Sequence, residues 1–169
     1  MTADKIYLVG FMGAGKTTVA RALARRLGWK IFDVDDAIEK REHQSVAALF
    51  AKRGEPYFRA VERDILLEQV GVRHLVVATG GGTFVDPQNR AVINADGVSV
   101  WLDVPFERLV ARVPADGRRP LAGDRAAFEQ LFLARRAAYE HAAHRIDAGR
   151  GSIELVADEI LDKLNQNVS

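Results

Sequence analysis

Short apolar runs alternate along the chain with longer stretches in which apolar residues recur at helical spacing. The short runs are centred near residues 6, 32, 76, 100 and 146, and they predict five β-strands. The run that ends at Ala78 has no polar break, which is typical of a parallel strand buried on both faces. Strands and helices that alternate in this way predict a single doubly wound α/β domain over residues 1–169, with helices flanking a parallel sheet.

Capping residues predict where several helices begin and end. The stretch 17–27 has one apolar stripe, and Gly28 is suited to end that helix. Asp36 is predicted to cap the second helix and Ser45 the third. The segment Gly54-Glu55-Pro56 is predicted to interrupt the helical pattern that follows Ser45.

Composition narrows the class of protein. Lysine and arginine total 24 against 23 acidic residues, a net charge of +1, so nothing favours nucleic acid or a membrane surface as a partner. The chain has no cysteine, which excludes disulfides, thiolate metal sites and a cysteine nucleophile. No stretch resembles a secretory signal or approaches the length of a membrane span. We therefore expect a cytoplasmic protein, and we expect it to be a monomer.

The segment Gly10–Thr17 carries the most specific chemical signal. It fits the pattern G-x-x-x-x-G-K-[ST] at every fixed position, with a predicted strand before it and a predicted helix after it. Backbone N–H groups that converge in such a turn, closed by a helix N-terminus, bind the phosphates of a nucleoside triphosphate. Lys16 is suited to reach the β- and γ-phosphates, and the Thr17 hydroxyl to ligate Mg²⁺. The candidate nucleotide ligands are Gly13, Ala14, Gly15, Lys16, Thr17 and Thr18.

Three acidic residues follow the second predicted strand, at a position where α/β sheets form their sites. With Asp36 assigned to a helix cap, Asp33 and Asp35 are left for function. A carboxylate beside bound ATP can hold Mg²⁺ through water or accept a proton from an acceptor hydroxyl. The alternative is that these acids are only solvated.

Two further features have both a functional and an ordinary interpretation. Arg59 and Glu62 lie three residues apart on a predicted helix, which fits either a surface ion pair or an arginine held in place for an anionic substrate. Gly80–Gly82 follow a predicted strand. Either their turn needs positive φ, or their backbone approaches a ligand with its N–H groups exposed.

Residues 113–125 contain two prolines, two glycines and the pair Arg118 and Arg119, without helical or strand periodicity. An irregular segment of this length in a small domain is usually functional, and paired arginines suit closure over phosphates. We therefore predict a lid, with a solvated loop as the alternative. The next predicted helix carries Arg135 and Arg136, of which one can point inward.

Taken together, five motifs in this order and spacing resemble those of the shikimate kinase family. They are Gly10–Thr18, Phe32-Asp33-Val34-Asp35, Phe58-Arg59-x-x-Glu62, Gly80–Gly82 and Arg119-Pro120-Leu121. The resemblance spans nearly the whole chain. It implies a P-loop fold like that of nucleoside monophosphate kinases, with strand order 2-3-1-4-5 and a lid. It also implies ATP and Mg²⁺ as cofactors and phosphorylation of the 3-hydroxyl of shikimate.

The resemblance assigns roles on the donor side of this reaction. Lys16 and Thr17 match the phosphate lysine and the Mg²⁺ hydroxyl, and Asp33 matches the acid that supports the metal through water. Arg119 matches the lid arginine that neutralises the transferring phosphoryl group. Arg112 matches the arginine that lies over adenine.

On the acceptor side, Asp35 matches the acid that receives the proton of the acceptor hydroxyl. Arg59, oriented by Glu62, and Arg135 match two arginines that clamp the shikimate carboxylate. Gly80–Gly82 match the turn whose backbone N–H groups face substrate and γ-phosphate. The catalytic residues implied are thus Lys16, Asp35 and Arg119.

The choice of Arg135 over Arg136 rests on Tyr139, because the family's second clamp arginine precedes a tyrosine by four residues. Ala137-Ala138 stand where the family often has a proline, and residues 147–152 lack the proline often found in the adenine loop. Two rivals remain open: a P-loop kinase for another small polyol acid such as gluconate, and a nucleotide-binding regulatory module without turnover.

Overall fold

Five short strands form one parallel sheet. The structure is a computed structural model, and it describes residues 3–112 and 124–166. Within those residues the strands are β1 (Lys5–Val9), β2 (Lys30–Asp33), β3 (Leu75–Ala78), β4 (Val98–Asp103) and β5 (His144–Asp147). Their order across the sheet is β2-β3-β1-β4-β5, and all neighbouring pairs are parallel. The predicted α/β class and strand order are confirmed.

The inner strands are apolar because both of their faces are covered. All residues of β1 and β3 are buried. β1 lies between β3 and β4, so that Ile6 is level with Val76 on one side and with Val98 on the other. Strand β2, at the edge of the sheet, is more exposed, which matches its mixed sequence of charged and apolar residues.

Seven helices and one 3₁₀ turn flank this sheet in the described part of the chain. They are α1 (Lys16–Leu27), α2 (Val34–Glu42), α3 (Val46–Glu68), the 3₁₀ turn (Thr83–Val85), α4 (Pro87–Asp96), α5 (Phe106–Arg112), α6 (Arg125–Tyr139) and α7 (Ile153–Gln166). α1 packs against α7, and α3 packs against α2 and α4. None of these helices combines the length and the apolar character needed to cross a membrane.

Three predicted helix signals are confirmed by the backbone and its hydrogen bonds. Gly28 ends α1 in a left-handed conformation, and its N–H donates to the carbonyl of Ala24. At the start of α3, the Ser45 hydroxyl oxygen accepts the N–H of Ala48 at 3.1 Å. Gly54, with φ 81° and ψ 171°, divides α3 into two helical parts at the predicted interruption.

The predicted cap of the second helix is wrong. The capping residue of α2 is Asp33, whose Oδ1 accepts the N–H of Asp36 at 2.9 Å. Asp36 lies instead in the first turn of α2 and pairs with Lys40 at 2.9 Å. The reason is that β2 runs directly into α2, so the last extended residue before the helix is Asp33. Asp35 consequently lies on the first helical turn rather than on a loop.

The predicted lid, residues 113–125, lies mostly outside the described residues, and Arg119 lies there with it. The last two residues of the predicted lid belong to the next helix. Asp124 caps α6 by accepting the N–H of Ala127 at 3.1 Å, and Arg125 is the first residue of α6.

The carboxyl ends of three adjacent strands bring the sequence motifs to one edge of the sheet. β2 ends at Asp33, β3 leads into Gly80, and β1, which pairs with β3, leads into Gly10. In open α/β sheets this edge is where ligands bind.

Candidate active site

The loop between β1 and α1 has the backbone path of a phosphate cradle. Gly13 and Gly15 have φ of 83° and 94°, in the left-handed region that favours glycine. Gly15 is also the N-cap of α1, so the N–H groups of the first helical turn border the loop. Gly10 has no room for a side chain, because a methyl group there would lie 2.9 Å from the carbonyl oxygen of Leu102.

Lys16 lies within this loop and is only 8% exposed. Its Nζ donates to the carbonyl oxygens of Gly10 at 2.5 Å and Phe11 at 3.0 Å. Ala14 is buried beneath the loop, and Thr18 is exposed on the first turn of α1. The ammonium group thus sits where the cradle needs positive charge.

Thr17 and Asp33 meet at the base of the loop. The Thr17 hydroxyl donates to Asp33 Oδ2 at 2.5 Å, while the other carboxylate oxygen caps α2. A hydroxyl and a carboxylate are the hard oxygen ligands that Mg²⁺ accepts. The described residues contain no group of three or more acids and histidines that could hold a metal. By their chemistry, the Thr17 hydroxyl and the Asp33 carboxylate fit two of the ligands of a Mg²⁺ ion.

Polar side chains lie against each of the three glycines after β3. A methyl group on Gly80 would lie 2.7 Å from Asp35 Oδ1, and one on Gly81 would lie 3.1 Å from Arg135 Nη1. A methyl group on Gly82 would lie 2.6 Å from Arg59 Nη1. The turn therefore needs glycine because three functional groups from α2, α6 and α3 approach its backbone. Neither Gly80 nor Gly82 has a positive φ.

The glycine turn also lies against the phosphate loop. A methyl group on Gly81 would be 3.4 Å from the backbone nitrogen of Met12. The side chains gathered on the glycines are therefore next to the position where the loop would hold a phosphate.

Arg59 is fixed by a buried acid. Its Nη1 lies 2.9 Å from Oε1 of Glu62, which is only 1% exposed, and its Nε lies 3.4 Å from Oε1 of Glu55. Burial acts to lower the pKa of Arg59, but the charges and hydrogen bonds of Glu62 and Glu55 outweigh it and raise the pKa above its ordinary value. Because Glu62 is buried, the ion pair between Arg59 and Glu62 is not the surface pair that their spacing also allowed.

The two arginines of α6 have different surroundings. Arg136 forms a two-bond ion pair with Asp103, at 2.8 and 3.1 Å, and lies over the ring of Trp101. Arg135 lies beside Gly81 and the ring of Phe11, and no ion pair joins it to an acid in residues 3–112 and 124–166. Burial lowers its pKa. A half-buried cation without an acid partner among the described residues is suited to bind an anion.

Arg112, at the end of α5, reaches the phosphate loop. Its Nη1 donates to the carbonyl oxygen of Gly13 at 3.2 Å. The guanidinium therefore lies against the phosphate loop, at the exposed end of α5.

Comparison with known proteins identifies the family to which this arrangement belongs. The sequence model of the shikimate kinase family matches residues 12–165. The chain belongs to the shikimate kinase family. The predicted resemblance is thus confirmed, and with it the predicted class of enzyme, a kinase.

Relatives in the shikimate kinase family match nearly the whole chain. The shikimate kinase of Persephonella marina is 39% identical over 160 residues, which cover 94% of this chain and 98% of that protein. The structure of the Acinetobacter baumannii shikimate kinase in complex with shikimate matches with a TM-score of 0.93 at 36% identity, covering 99% and 96% of the two chains. The Aquifex aeolicus enzyme matches with a TM-score of 0.88 at 35% identity, covering 96% and 97%.

Two residues that support this shikimate kinase site were not predicted to do so. Thr83 is buried, and its Oγ1 accepts the N–H of Gly80 at 2.9 Å. The buried Tyr139 hydroxyl donates to the carbonyl oxygen of Gly81, and burial raises its pKa. The sequence offered only position as a signal, since Thr83 directly follows the glycines and Tyr139 lies one turn after Arg135.

Proposed function

We propose that this chain transfers the γ-phosphoryl group of ATP to the 3-hydroxyl of shikimate, giving shikimate 3-phosphate and ADP. One observation carries the assignment: two arginines and a carboxylate are gathered on a glycine turn that lies directly against a phosphate loop. An acceptor that carries both a carboxylate and a hydroxyl group matches these side chains.

The acceptor site consists of Asp35, Arg59, Arg135 and Gly80–Gly82. In the proposal, Arg59 and Arg135 bind the shikimate carboxylate, which a pair of guanidinium groups can hold by parallel hydrogen bonds. Asp35 orients the 3-hydroxyl and accepts its proton as the new bond forms. The N–H groups of the glycine turn face the substrate and the phosphate that is transferred. Holding both ends of the acceptor fixes the attacking oxygen in line with that phosphate.

The donor site consists of the phosphate loop and the side chains around it. The backbone of Gly13–Thr18 and the ammonium group of Lys16 bind the phosphates, and Arg112 lies over adenine. Thr17 and Asp33 would hold Mg²⁺, which would offset the negative charge of the phosphates during transfer. Arg119 closes from the lid and neutralises the charge of the transferred group, which is how an arginine accelerates this chemistry.

We also propose the setting in which the enzyme works. The nearly balanced charge of the chain suits a small-molecule substrate rather than nucleic acid or a membrane surface. The acceptor and donor groups all come from one chain. A monomer in the cytoplasm therefore suffices for the proposed activity.

The proposal is tested by ADP release from the purified chain with Mg²⁺ and ATP across a panel of acceptors. We expect release with shikimate that is at least about a hundredfold faster than with gluconate, quinate or a nucleoside monophosphate. Faster release with gluconate would indicate the rival polyol-acid kinase. The absence of release with every acceptor would indicate a binding module without turnover.

A further inference from the structure

The hydroxyl group of Thr83 lies between the glycine turn and the acid that holds Arg59. Thr83 is fully buried. Its Oγ1 accepts the N–H of Gly80 at 2.9 Å and donates to Oε2 of Glu62, also at 2.9 Å. The opposite oxygen of Glu62, Oε1, binds Arg59 Nη1 at 2.9 Å. A continuous line of hydrogen bonds therefore runs from Gly80 to Arg59.

The direction of each bond in this line is determined by chemistry. A backbone N–H can only donate, so Thr83 Oγ1 must be the acceptor toward Gly80. The Glu62 carboxylate must be the acceptor toward both Thr83 and Arg59. The hydroxyl proton of Thr83 is thus committed to Glu62, and the Glu62 carboxylate has one fixed donor on each oxygen.

Glu62 depends on these two donors to stay in place. It is 1% exposed, and a buried carboxylate without hydrogen-bond donors is unfavourable. Glu62 lies three residues from Arg59 on α3, and its Oε1 is the ion-pair partner of the Arg59 guanidinium. A change in the Glu62 rotamer would therefore move the guanidinium as well. The Gly80 end of the line is also the glycine against which Asp35 packs.

We propose that Thr83 is a positioning residue of the acceptor site, which orients Arg59 through Glu62 and fixes Gly80 beside Asp35. This inference rests on the proposed function, since it assigns Arg59 to the shikimate carboxylate. Thr83 itself binds neither the substrate nor the nucleotide.

Thr83→Val tests the inference, because valine has nearly the same shape but no hydroxyl group. It leaves the Gly80 N–H without its acceptor and Oε2 of Glu62 without its donor. We expect the shikimate KM to rise about tenfold, which corresponds to one lost hydrogen bond to a charged group, with the ATP KM unchanged within about twofold. Thr83→Ser keeps the hydroxyl group and should stay within about threefold of the parent KM. If Thr83→Val does not fold, Thr83→Ala takes its place with the same expected rise.

Thr79→Val is the matched control. Thr79 is also buried, four residues earlier on the same segment, and its hydroxyl donates to the carbonyl oxygen of Leu8 at 2.8 Å. That carbonyl keeps the N–H of Thr79 as a donor at 3.1 Å after the substitution. The control should therefore leave the shikimate KM unchanged.

A second comparison separates positioning from a general structural role. If Thr83 acts through Arg59, then Thr83→Val added to Arg59→Ala should raise the shikimate KM by no more than about twofold further. An additive tenfold rise would overturn the inference, as would an unchanged KM in folded Thr83→Val or an equal rise in Thr79→Val. A parent chain that does not phosphorylate shikimate would refute the proposed function itself, and the inference with it.

Discussion

Gly82→Ala is the substitution for which the structure makes the sharpest prediction. A methyl group on Gly82 would lie 2.6 Å from Nη1 and 2.7 Å from Cζ of Arg59, closer than real atoms approach. The atoms that must move are the end of a long side chain and not backbone. The backbone of Gly82, with φ −106° and ψ −5°, is also open to alanine. The fold should therefore survive while the Arg59 guanidinium leaves its position.

The size of the effect follows from the contact that is lost. A charge-assisted hydrogen bond is worth about 1.5–3 kcal/mol, which corresponds to roughly 10- to 100-fold in affinity. Because Arg59 is displaced rather than removed, we expect the lower part of this range, a rise of about 10- to 30-fold in the shikimate KM. The ATP KM should change by less than about twofold. The loss of one donor to the buried Glu62 should lower the melting temperature by about 2–6 °C.

The assay is coupled ADP release with shikimate varied at saturating ATP, and then with ATP varied at saturating shikimate. Gly28→Ala is the control, because Gly28 has φ 68° and open space around it, so that alanine strains the end of α1 far from the glycine turn. The control should lose stability and keep the shikimate KM. An unchanged shikimate KM in folded Gly82→Ala would refute the assignment of Arg59 to the substrate.

Three further predictions concern other parts of the molecule. Arg119→Ala should lower kcat at least about a hundredfold and change the shikimate KM little, because the contact of Arg119 with the transferred phosphoryl group strengthens in the transition state. Equal changes in kcat and KM would count against a lid role. Arg135→Ala should raise the shikimate KM at least about tenfold. Arg136→Ala should lower the free energy of unfolding by about 2 kcal/mol and leave the shikimate KM nearly normal. Similar kinetics in the two variants would contradict the assignment of Arg135, rather than Arg136, to the substrate. The Asp96 carboxylate accepts hydrogen bonds from Lys5 at 2.5 Å and from the Tyr7 hydroxyl at 2.6 Å. Burial acts to raise the pKa of Asp96, but these hydrogen bonds outweigh it and lower the pKa to about 2. The stability that this carboxylate contributes is therefore present above pH 4 and should be lost, by about 2 kcal/mol, as the pH falls toward 2. Denaturant unfolding at several pH values should show this loss in the parent chain, and a reduced loss in Asp96→Asn.

The sheet could be predicted because each local sequence signal for it has a single physical cause. The segment that ends at Ala78 is apolar since both faces of β3 are covered, and the phosphate-loop motif requires a strand before it and a helix after it. The cap of α2 was mispredicted because three acids near one another are all suited to cap a helix. Only the point at which the backbone leaves the extended conformation decides between Asp33 and Asp36.

The residues proposed for the acceptor site could be named from the sequence, but their contacts could not. The spacing of Arg59 and Glu62 fits a surface pair as well as a buried one. The hydrogen bond that holds the buried Glu62 comes from Thr83, which is 21 residues away in sequence. Likewise, the glycines after β3 were open to two explanations. The close approach of Asp35, Arg135 and Arg59, from three separate helices, explains them, and no local pattern carries that information.

We propose that this site attaches phosphate to the 3-hydroxyl of shikimate. This proposal is tested most directly by phosphorus NMR of the reaction of the purified chain with Mg²⁺, ATP and shikimate, with ADP measured in parallel. We expect one phosphate monoester on the 3-oxygen of shikimate for each ADP formed. ADP that accumulates with only inorganic phosphate, or a monoester on another oxygen, would contradict the proposal.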